Sequence, residues 1–285
     1  MKFGKVIFLG ILIFFTVGCY GKKKEYPKSD IKVSYNYHNI DSRVADDVRE
    51  RDIPFLLLVN NDESKFYNPN TEYQDSLQST PQGKLLYDKM LHEAIKHYIE
   101  TKDNNKMNSV SYKTTLYVFK SFLKNQYDVY ENVGLTRSHY VEPLEEFDWN
   151  VSDSTKNILG YECFMAETDY HGRHWTVWFS PEIPVQNGPW KLQGLPGLIL
   201  EASEPTGQHT FTAVGIENSR QEILPVYNPK QYDKSTRLDM LRTARIFREN
   251  QNSILKAEID LDLGPDSPKS QESLKYDFLE TDYHK

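Results

Sequence analysis

The chain has 285 residues, of which 38% are hydrophobic and 13% are aromatic. This composition is typical of a folded protein rich in β-strands, and it excludes a disordered chain. The net charge at pH 7 is −7, so the sequence lacks the excess of basic residues that nucleic-acid binding requires.

Residues 1–18 have the pattern of a lipoprotein signal peptide. A basic start is followed by a predominantly apolar run over residues 6–17, which is shorter than a membrane-spanning helix and has the length of a signal-peptide core. The run ends at Gly18 and Cys19, which resemble the cleavage and acylation site of bacterial lipoproteins. Thr16 departs from the usual leucine of that motif, and an ordinary secretory signal is the alternative. We predict that Cys19 is lipidated.

Beyond this segment the chain divides into three parts. Residues 19–30 are polar and predict a tether, residues 31–255 predict a single β-rich domain, and residues 256–285 predict a polar C-terminal tail. No later apolar run is long enough to span a bilayer. We therefore expect an exported protein that its N-terminal lipid attaches to the outer membrane, facing the periplasm or the cell surface.

The first elements of the domain are two strands and a helix. Residues 31–37 alternate between apolar and polar side chains, as in a half-buried strand, and residues 52–60 contain a short apolar run typical of a second strand. A stripe of apolar residues at helical spacing predicts a helix over 81–101, with Thr80 as its cap and Pro81 in its first turn. We expect a sheet to cover the apolar face of this helix.

Strands predominate between Tyr112 and Glu222. Segments rich in β-branched and aromatic residues are separated by short turn signals there, and strands do not alternate with helices. A second amphipathic helix follows at 235–251. The predicted fold class is therefore α+β: a large curved antiparallel sheet, in the form of an incomplete barrel or bowl, holds helix 81–101 in its concavity, and a second helix lies near the C-terminus.

The segment 160–184 predicts a hairpin with Gly172 at its tip. Cys163 could act as a nucleophile only with a histidine in hydrogen-bond reach, whereas His171 and His174 sit at the tip, several residues along the strand. A small buried side chain is the simpler interpretation of this cysteine. The histidines also form an HxxH pair, but no further residue completes the spacing of a metal site. We predict no catalytic residue, no metal and no other cofactor.

Five residues of this region are candidate ligand contacts. Arg173 opens the second strand of the hairpin and Glu182 lies in the loop that leaves it, so this pair either grips a ligand or forms an ordinary cross-hairpin ion pair. Trp178 lies on the strand face opposite to its apolar neighbours, where its ring could contact a glycan. Trp190 and Lys191 follow in a loop rich in glycine and proline.

The loop over 187–200 predicts a structural corner. It contains no Ser, Thr, Cys, His, Asp or Glu, and Lys191 is its only ionisable residue. Acid–base or nucleophilic chemistry therefore cannot be centred on this loop. Pro196 and Gly197 predict a type II turn, and residues 198–200 predict a strand that is buried on both faces.

The motifs of this region resemble those of the GLPGLI family, which comprises secreted or lipid-anchored proteins of Gram-negative bacteria. The matching elements are Gly160-Tyr161 with Cys163, Gly172-Arg173, Trp178, Pro181–Pro184, Gly188–Lys191 and Gly194–Ile199. The family name describes a sequence and implies no reaction. The family is similar to the bowl-like N-terminal domain of some bacterial peptide-N-glycanases and, in outline, to periplasmic lipoprotein carriers. These resemblances imply a curved, incompletely closed sheet.

Three functions are compatible with this sequence. We expect a non-catalytic outer-membrane lipoprotein, an accessory or binding module for a peptide, a glycan or an envelope protein. The second is a periplasmic carrier that holds a lipid or lipopeptide between sheet and helix, which predicts unfilled apolar volume beneath the helix. The third is a hydrolase that uses Cys163, and it requires that residue to meet His171, His174 or His209 in an open cleft.

Overall fold

The computed structural model of the protein describes residues 25–42, 48–103, 105–110, 114–260 and 277–284. The predicted signal peptide and the predicted lipidation site at Cys19 lie outside these residues. Within the described ranges the chain forms one twelve-stranded sheet, five α-helices and two short 3₁₀ helices.

The strands are β1 (Ile31–Ser42), β2 (Val48–Val59), β3 (Glu63–Tyr67), β4 (Tyr117–Ser121), β5 (Gln126–Val133), β6 (Thr136–Pro143), β7 (Asn150–Ile158), β8 (Tyr161–Tyr170), β9 (Arg173–Ser180), β10 (Leu198–Ser203), β11 (His209–Asn218) and β12 (Asp233–Lys234). The helices are α1 (Pro69–Gln78), α2 (Pro81–Thr101), α3 (Asn105–Val110), α4 (Arg237–Glu249) and α5 (Gln251–Ile259), and the 3₁₀ helices cover Pro229–Gln231 and Asp282–His284.

The sheet consists of two meanders joined edge to edge. Strands β1 to β6 follow one another across one half, strands β7 to β11 follow one another across the other half, and β1 pairs with β11 at the junction. Neighbouring strands are antiparallel, except that the two-residue β12 runs parallel to β6. The sheet is open, with β12 and β7 at its edges, which confirms the predicted α+β class and its incompletely closed antiparallel sheet.

Alternation along the strands gives the sheet two different faces. On β1, Val33, Tyr35 and Tyr37 are buried and face the main core, and this side of the sheet is called the inner face. Opposite them along β2 lie Leu57, Phe55 and Ile53, in register with the three β1 residues. A smaller core covers part of the outer face, and its buried members are Leu58, Tyr67, Tyr117, Ile223, Val226 and Tyr232.

Helix α2 forms where it was predicted but does not lie in the concavity of the sheet. Thr80 caps it, as predicted, by accepting a hydrogen bond from the backbone N–H of Gly83. The helix packs against α1 and α3, and its apolar stripe is largely exposed: Leu86 is 48% and Ile99 is 64% accessible. The predicted placement is therefore wrong, because a periodic stripe identifies an apolar face without identifying the surface that it meets.

Three other segments cover the inner face. Helix α4 packs on β5 and β6, and its Met240 belongs to the main core. The loop over 181–197, here called the corner, adds buried residues that include Trp190 and Leu195. Residues 277–284, within the predicted polar tail, also pack here, and Tyr283 among them is buried. The inner face is thus closed by one helix, one loop and one C-terminal segment.

The corner turns in a different way from the predicted one. Gly197 does not have the positive φ that a type II turn requires at this position, whereas Gly194 has a φ of 92°. A Cβ on Gly197 would lie 2.2 Å from the carbonyl oxygen of Ser180, at the end of β9. Glycine is therefore needed at 197 for a close backbone approach. Leu198, Ile199 and Leu200 then enter β10 fully buried, as predicted.

None of the helices in the described residues combines the length and the apolar character that a bilayer-crossing helix needs.

Candidate functional site

A cavity of about 330 Å³ lies between the inner face of the sheet, α4 and residues 277–280. Strands β1, β2, β5, β6 and β11 contribute to its walls, and Trp190 reaches it from the corner. The volume falls at the lower end of the range of small-molecule sites, which is roughly 300–1,000 Å³. We refer to it below as the α4 cavity.

Much of the wall of the α4 cavity is apolar and aromatic. Most of these residues occupy inward positions of the strands or the sheet-facing side of α4, where alternation and helical periodicity place apolar side chains. They include Ile53, Phe55, Leu116, Val129, Trp190, Phe211, Met240, Leu241, Ala244 and Phe247. Such a wall binds ligands by excluding water and leaves orientation to a few polar groups.

Glu131 is a carboxylate in the wall of the α4 cavity. It belongs to the inward row of β5, between the buried residues Val129 and Val133. Burial raises the pKa of Glu131 to about 7, repulsion from Glu280 acts in the same direction, and attraction to Lys191 opposes both. Among the described residues, no lysine, arginine or histidine forms an ion pair with this carboxylate.

The other carboxylates of the lining have partners. Asp41 pairs with Arg248 and lies 3.8 Å from Arg51. Asp277 accepts a hydrogen bond from the Tyr283 hydroxyl at 2.6 Å. These ion pairs and hydrogen bonds neutralise or satisfy each group in place, so they differ from Glu131.

Glu280 lies at the centre of a buried ion network behind the cavity. Its two carboxylate oxygens lie 2.7 Å from Lys191 Nζ and 2.7 Å from an Arg237 nitrogen. Lys191 Nζ also lies 2.5 Å from Glu142. Although burial alone would raise it, attraction to Lys191, His171 and Arg237 holds the pKa of Glu280 below its usual value. The network fixes both the corner and the C-terminal segment on the sheet.

His209 is a neutral histidine that joins β1 to the C-terminal segment. Its Nε2 lies 2.9 Å from the carbonyl oxygen of Asp277, to which it donates, and its Nδ1 accepts from the Tyr37 hydroxyl at 2.6 Å. Burial lowers the pKa of His209 to about 4, and repulsion from Arg173 contributes. Both ring nitrogens therefore have structural roles.

Two of the five predicted contact residues lie at the α4 cavity or directly behind it. Trp190 lines the cavity and is buried against Trp175 and Tyr170, although its φ is +53°. Lys191 is completely buried in the ion network with Glu142 and Glu280. The structure thus brings these neighbours together with the cavity, one as wall and one as support.

Arg173 has a role that the hairpin did not suggest. Its guanidinium lies 3.3 Å from Glu204 and donates to the carbonyl oxygen of Phe278 at 2.6 and 2.9 Å. The interpretation as an ion pair with Glu182 is therefore wrong, because the partner Glu204, directly after β10, is brought close by the sheet and not by the hairpin. Arg173 holds the C-terminal segment against the end of β9.

Glu182 and Trp178 do not line the α4 cavity. Glu182 is exposed and accepts a hydrogen bond from the backbone N–H of Glu162 at 3.0 Å. Trp178 is half-buried, and the Lys156 ammonium lies 4.3 Å from the centre of its ring. Both residues are parts of the sheet surface away from the cavity.

Cys163 is buried and lacks the environment of a nucleophile. Its sulfur lies 3.6 Å from the Tyr161 carbonyl oxygen, and burial raises the pKa of its thiol. A reactive cysteine needs a lowered thiol pKa and a histidine partner. The hypothesis of a Cys163-dependent hydrolase required an open cleft, and this burial contradicts it.

The two histidines of the HxxH pair point to different surroundings. His174 lies 2.8 Å from Asp169, whereas His171 lies 3.1 Å from Asp282 and 3.2 Å from Glu145. Within the described residues, His171 can offer ligand atoms in two acidic groups, one with Glu142 and Glu145 and one with Glu280 and Asp282. The carboxylates of Glu142, Glu280 and Asp282 are already paired with Lys191 or Arg237. These three carboxylates therefore act as ion-pair partners in the structure.

The sequence contained one unused signal for Glu131. In the segment from Tyr127 to Val133, the odd-numbered positions carry Tyr, Val, Glu and Val, so a carboxylate occupies the third place of an otherwise apolar strand face. A charged residue in an inward row is costly unless it is paired or used. The remaining residues of the cavity come together from distant parts of the chain, and spacing could not identify them.

The described fold and site allow comparison with known proteins. A family described as a protein of unknown function (Porph_ging) matches residues 167–201, the segment that includes Gly194–Ile199. No curated protein matches the chain. Two solved structures of PNGF-II, in space groups P21 and C2, are similar with TM-scores of 0.45 and 0.46 and identities of 13% and 14%. Each alignment covers 75% of this chain, which spans about a third of the length of those structures (33% and 32%).

Proposed function

We propose that the protein is a non-catalytic binding module of the GLPGLI type and that the α4 cavity receives its ligand. The observation that carries the proposal is the cavity itself: about 330 Å³, bounded by aromatic rings and containing one carboxylate without a cation. The motifs from Gly160 to Ile199 support the family assignment.

The lining of the α4 cavity favours binding over catalysis. Over the described part of the chain it contains no serine, cysteine or lysine. His209 uses both ring nitrogens in hydrogen bonds, so it is not available as a general base. A carboxylate and hydrophobic walls are sufficient to hold and orient a ligand.

The size of the cavity suggests what enters it. A volume of this order accommodates a small molecule, a peptide side chain or the terminal sugar of a glycan. We propose that larger partners insert one such group into the cavity. A carrier of lipid or lipopeptide is the second candidate, and the unfilled apolar volume beneath α4 is the observation that favours it. Glu131 opposes it, because an acyl chain would leave a buried carboxylate without any partner.

A cavity-filling variant tests the proposed site. Ala244 lines the α4 cavity, and Ala244→Trp fills much of it, whereas Thr243→Trp adds the same ring to the exposed side of α4. Native mass spectrometry of full-length protein purified from its own membranes should detect a bound small molecule in the wild type and in T243W but not in A244W. A stoichiometric acyl lipid would favour the carrier. Equal occupancy in A244W would overturn the cavity as the site.

The cellular location is a separate part of the proposal. We infer that Cys19 is acylated and that the protein is attached to the outer membrane, as the pattern of residues 1–18 suggests. Cys19→Ser should move the protein from the membrane fraction to the soluble fraction and abolish incorporation of labelled palmitate. Persistent membrane attachment of this variant would contradict the lipid anchor.

A further inference from the structure

We propose that the α4 cavity selects a small primary amine that carries an apolar or aromatic group. This inference rests on the proposed function, because it names the class of ligand for the same cavity.

The first support is the balance of charge in the wall. Asp41, Asp277 and Glu280 pair with cations or accept hydrogen bonds from neighbouring groups, whereas Glu131 has no cationic partner in the described part of the chain. Glu131 is only partly exposed, and its carboxylate is therefore partly withdrawn from water. Without a cation this placement is costly, so a ligand that supplies the missing positive charge is favoured. An ammonium group is the simplest ligand group that does so.

The second support is the ring of aromatic side chains around this carboxylate. Tyr37, Phe55, Tyr140, Trp190 and Phe211 all line the cavity. Aromatic faces attract cations and also bury an apolar ligand body. The hydroxyls of Tyr37 and Tyr140 lie close enough to Glu131 to interact with it electrostatically. The wall therefore provides both an anionic group and an apolar surface for the body of the ligand.

Other ligand classes fit this wall less well. A ligand carboxylate would face Glu131 and Glu280, and the two arginines of the lining, Arg51 and Arg248, already lie against Asp41. A purely hydrocarbon ligand would remove water from Glu131 and supply nothing in return. An amine with a compact apolar body avoids both costs.

The ionisation of Glu131 makes amine binding depend on pH. The charged or titratable groups on the elements packed around it are Glu280, Lys191, Tyr37, Tyr140, His209, Asp41, Arg51, Arg248 and Asp277. Because the pKa of Glu131 is about 7, this carboxyl is mostly neutral at pH 6 and mostly ionised at pH 8. The ammonium ligand stays protonated over this interval, so amine binding should strengthen about tenfold between the two pH values.

Three ligands that share one ring separate the amine from its alternatives. The probes are phenethylamine, phenethyl alcohol and phenylacetate, titrated calorimetrically into the full chain at pH 6 and pH 8. Phenethylamine should bind more tightly at pH 8, and the alcohol and the acid should bind at least about tenfold more weakly. Glu131→Gln should remove the preference for the amine and its pH dependence without lowering the melting temperature. The exposed Glu146→Gln is the matched control and should behave like the wild type.

Each other outcome overturns a defined part of the proposal. If the alcohol or the acid binds as tightly as the amine and A244W abolishes that binding, the selection of amines is wrong and the cavity remains the site. If phenethylamine does not bind, or binds equally to E131Q, the selection of amines is also wrong. Occupancy that is unchanged in A244W would instead contradict the proposed function itself.

Discussion

The corner and the α4 cavity are neighbouring regions that differ in whether their charged residues have partners. In the corner, Lys191 lies between two carboxylates, and the buried Lys120 donates to oxygens of Asn187 and Leu192 at 2.7 and 2.8 Å. In the cavity, Glu131 is surrounded by rings and has no cation among the described residues. Both regions share the inner face of one sheet.

This contrast indicates that charged residues stabilise the fold in the corner, whereas Glu131 lowers the stability of the fold in the cavity. A buried ion network whose members are all paired fixes one arrangement of the chain. Removing one member leaves its partner as an uncompensated charge in the low-dielectric interior. A single unpaired carboxylate does the reverse, because it destabilises the folded state until something binds to it. We interpret the corner as a structural element and the cavity as the place where binding is favoured over stability.

The largest expected effect comes from removing a paired charge in the corner. Lys191→Met leaves Glu142 and Glu280 with Arg237 as their one remaining shared cation among the described residues, and it should lower the free energy of unfolding by about 3–5 kcal/mol. Lys120→Met is the matched control, since Lys120 contacts only neutral oxygens and its loss should cost about 1–3 kcal/mol. Urea denaturation measures both. Equal losses would remove the distinction between the two lysines.

The second prediction concerns acid. Buried His209 has a pKa of about 4 in the folded protein, against 6.5 for an ordinary histidine. Below pH 6.5 the unfolded chain binds a proton at this histidine, whereas the folded protein does not. The free energy of unfolding therefore falls by about 3 kcal/mol as the pH drops from about 6.5 to about 4. His209→Gln keeps a donor for the Asp277 carbonyl and should flatten this part of the curve. Parallel curves for variant and wild type would contradict the assignment.

The third prediction has the opposite sign and sharpens the comparison. Glu131 has a folded pKa of about 7, above the 4.5 of an ordinary glutamate, so it lowers stability as the pH rises through this interval. Glu131→Gln should therefore stabilise the protein by about 1–3 kcal/mol at pH 8 and leave it nearly unchanged at pH 4. Thermal unfolding at both pH values measures this. A destabilised variant at pH 8 would mean that Glu131 has a stabilising partner.

The smallest effect is expected at Glu182. This exposed carboxylate contacts the Glu162 backbone away from the cavity, so Glu182→Gln should change the free energy of unfolding by less than about 0.5 kcal/mol. Binding of a cavity ligand should also be unchanged in calorimetric titrations. A loss of ligand binding would show that the surface near Glu182 belongs to the site.

The strand pattern was accessible from the sequence, but the covering of the sheet was not. Alternation in residues 31–37 and the apolar run at 198–200 identified strands and a buried strand correctly, because these signals are local. Strand β7, which contains Ser152 and Asp153, is only weakly apolar and therefore carries no such local signal. Both α2 and α4 were predicted as amphipathic helices, yet α4 covers the inner face and α2 does not. Local periodicity carries no information on which elements meet.

The candidate site shows the same limit. Trp190 was singled out on composition and lines the cavity, whereas Glu131 was not among the five predicted contact residues. The partners of Arg173 lie directly after β10 and in the C-terminal segment, so they become neighbours only after the sheet has formed. Residue types are visible in a sequence, but an unpaired charge is visible only when every neighbour is in place.

The position of Glu280 in the chain has a consequence for biosynthesis. Lys191 and Arg237 leave the ribosome before Glu280 and Asp282 are made, and until then these two cations share only Glu142. Burying both of them at that stage would leave positive charge uncompensated in a low-dielectric interior. We therefore expect the inner face to close only after residues 277–284 have emerged. The nascent protein would remain open, and within reach of export and quality-control factors, until Glu280 and Asp282 have emerged.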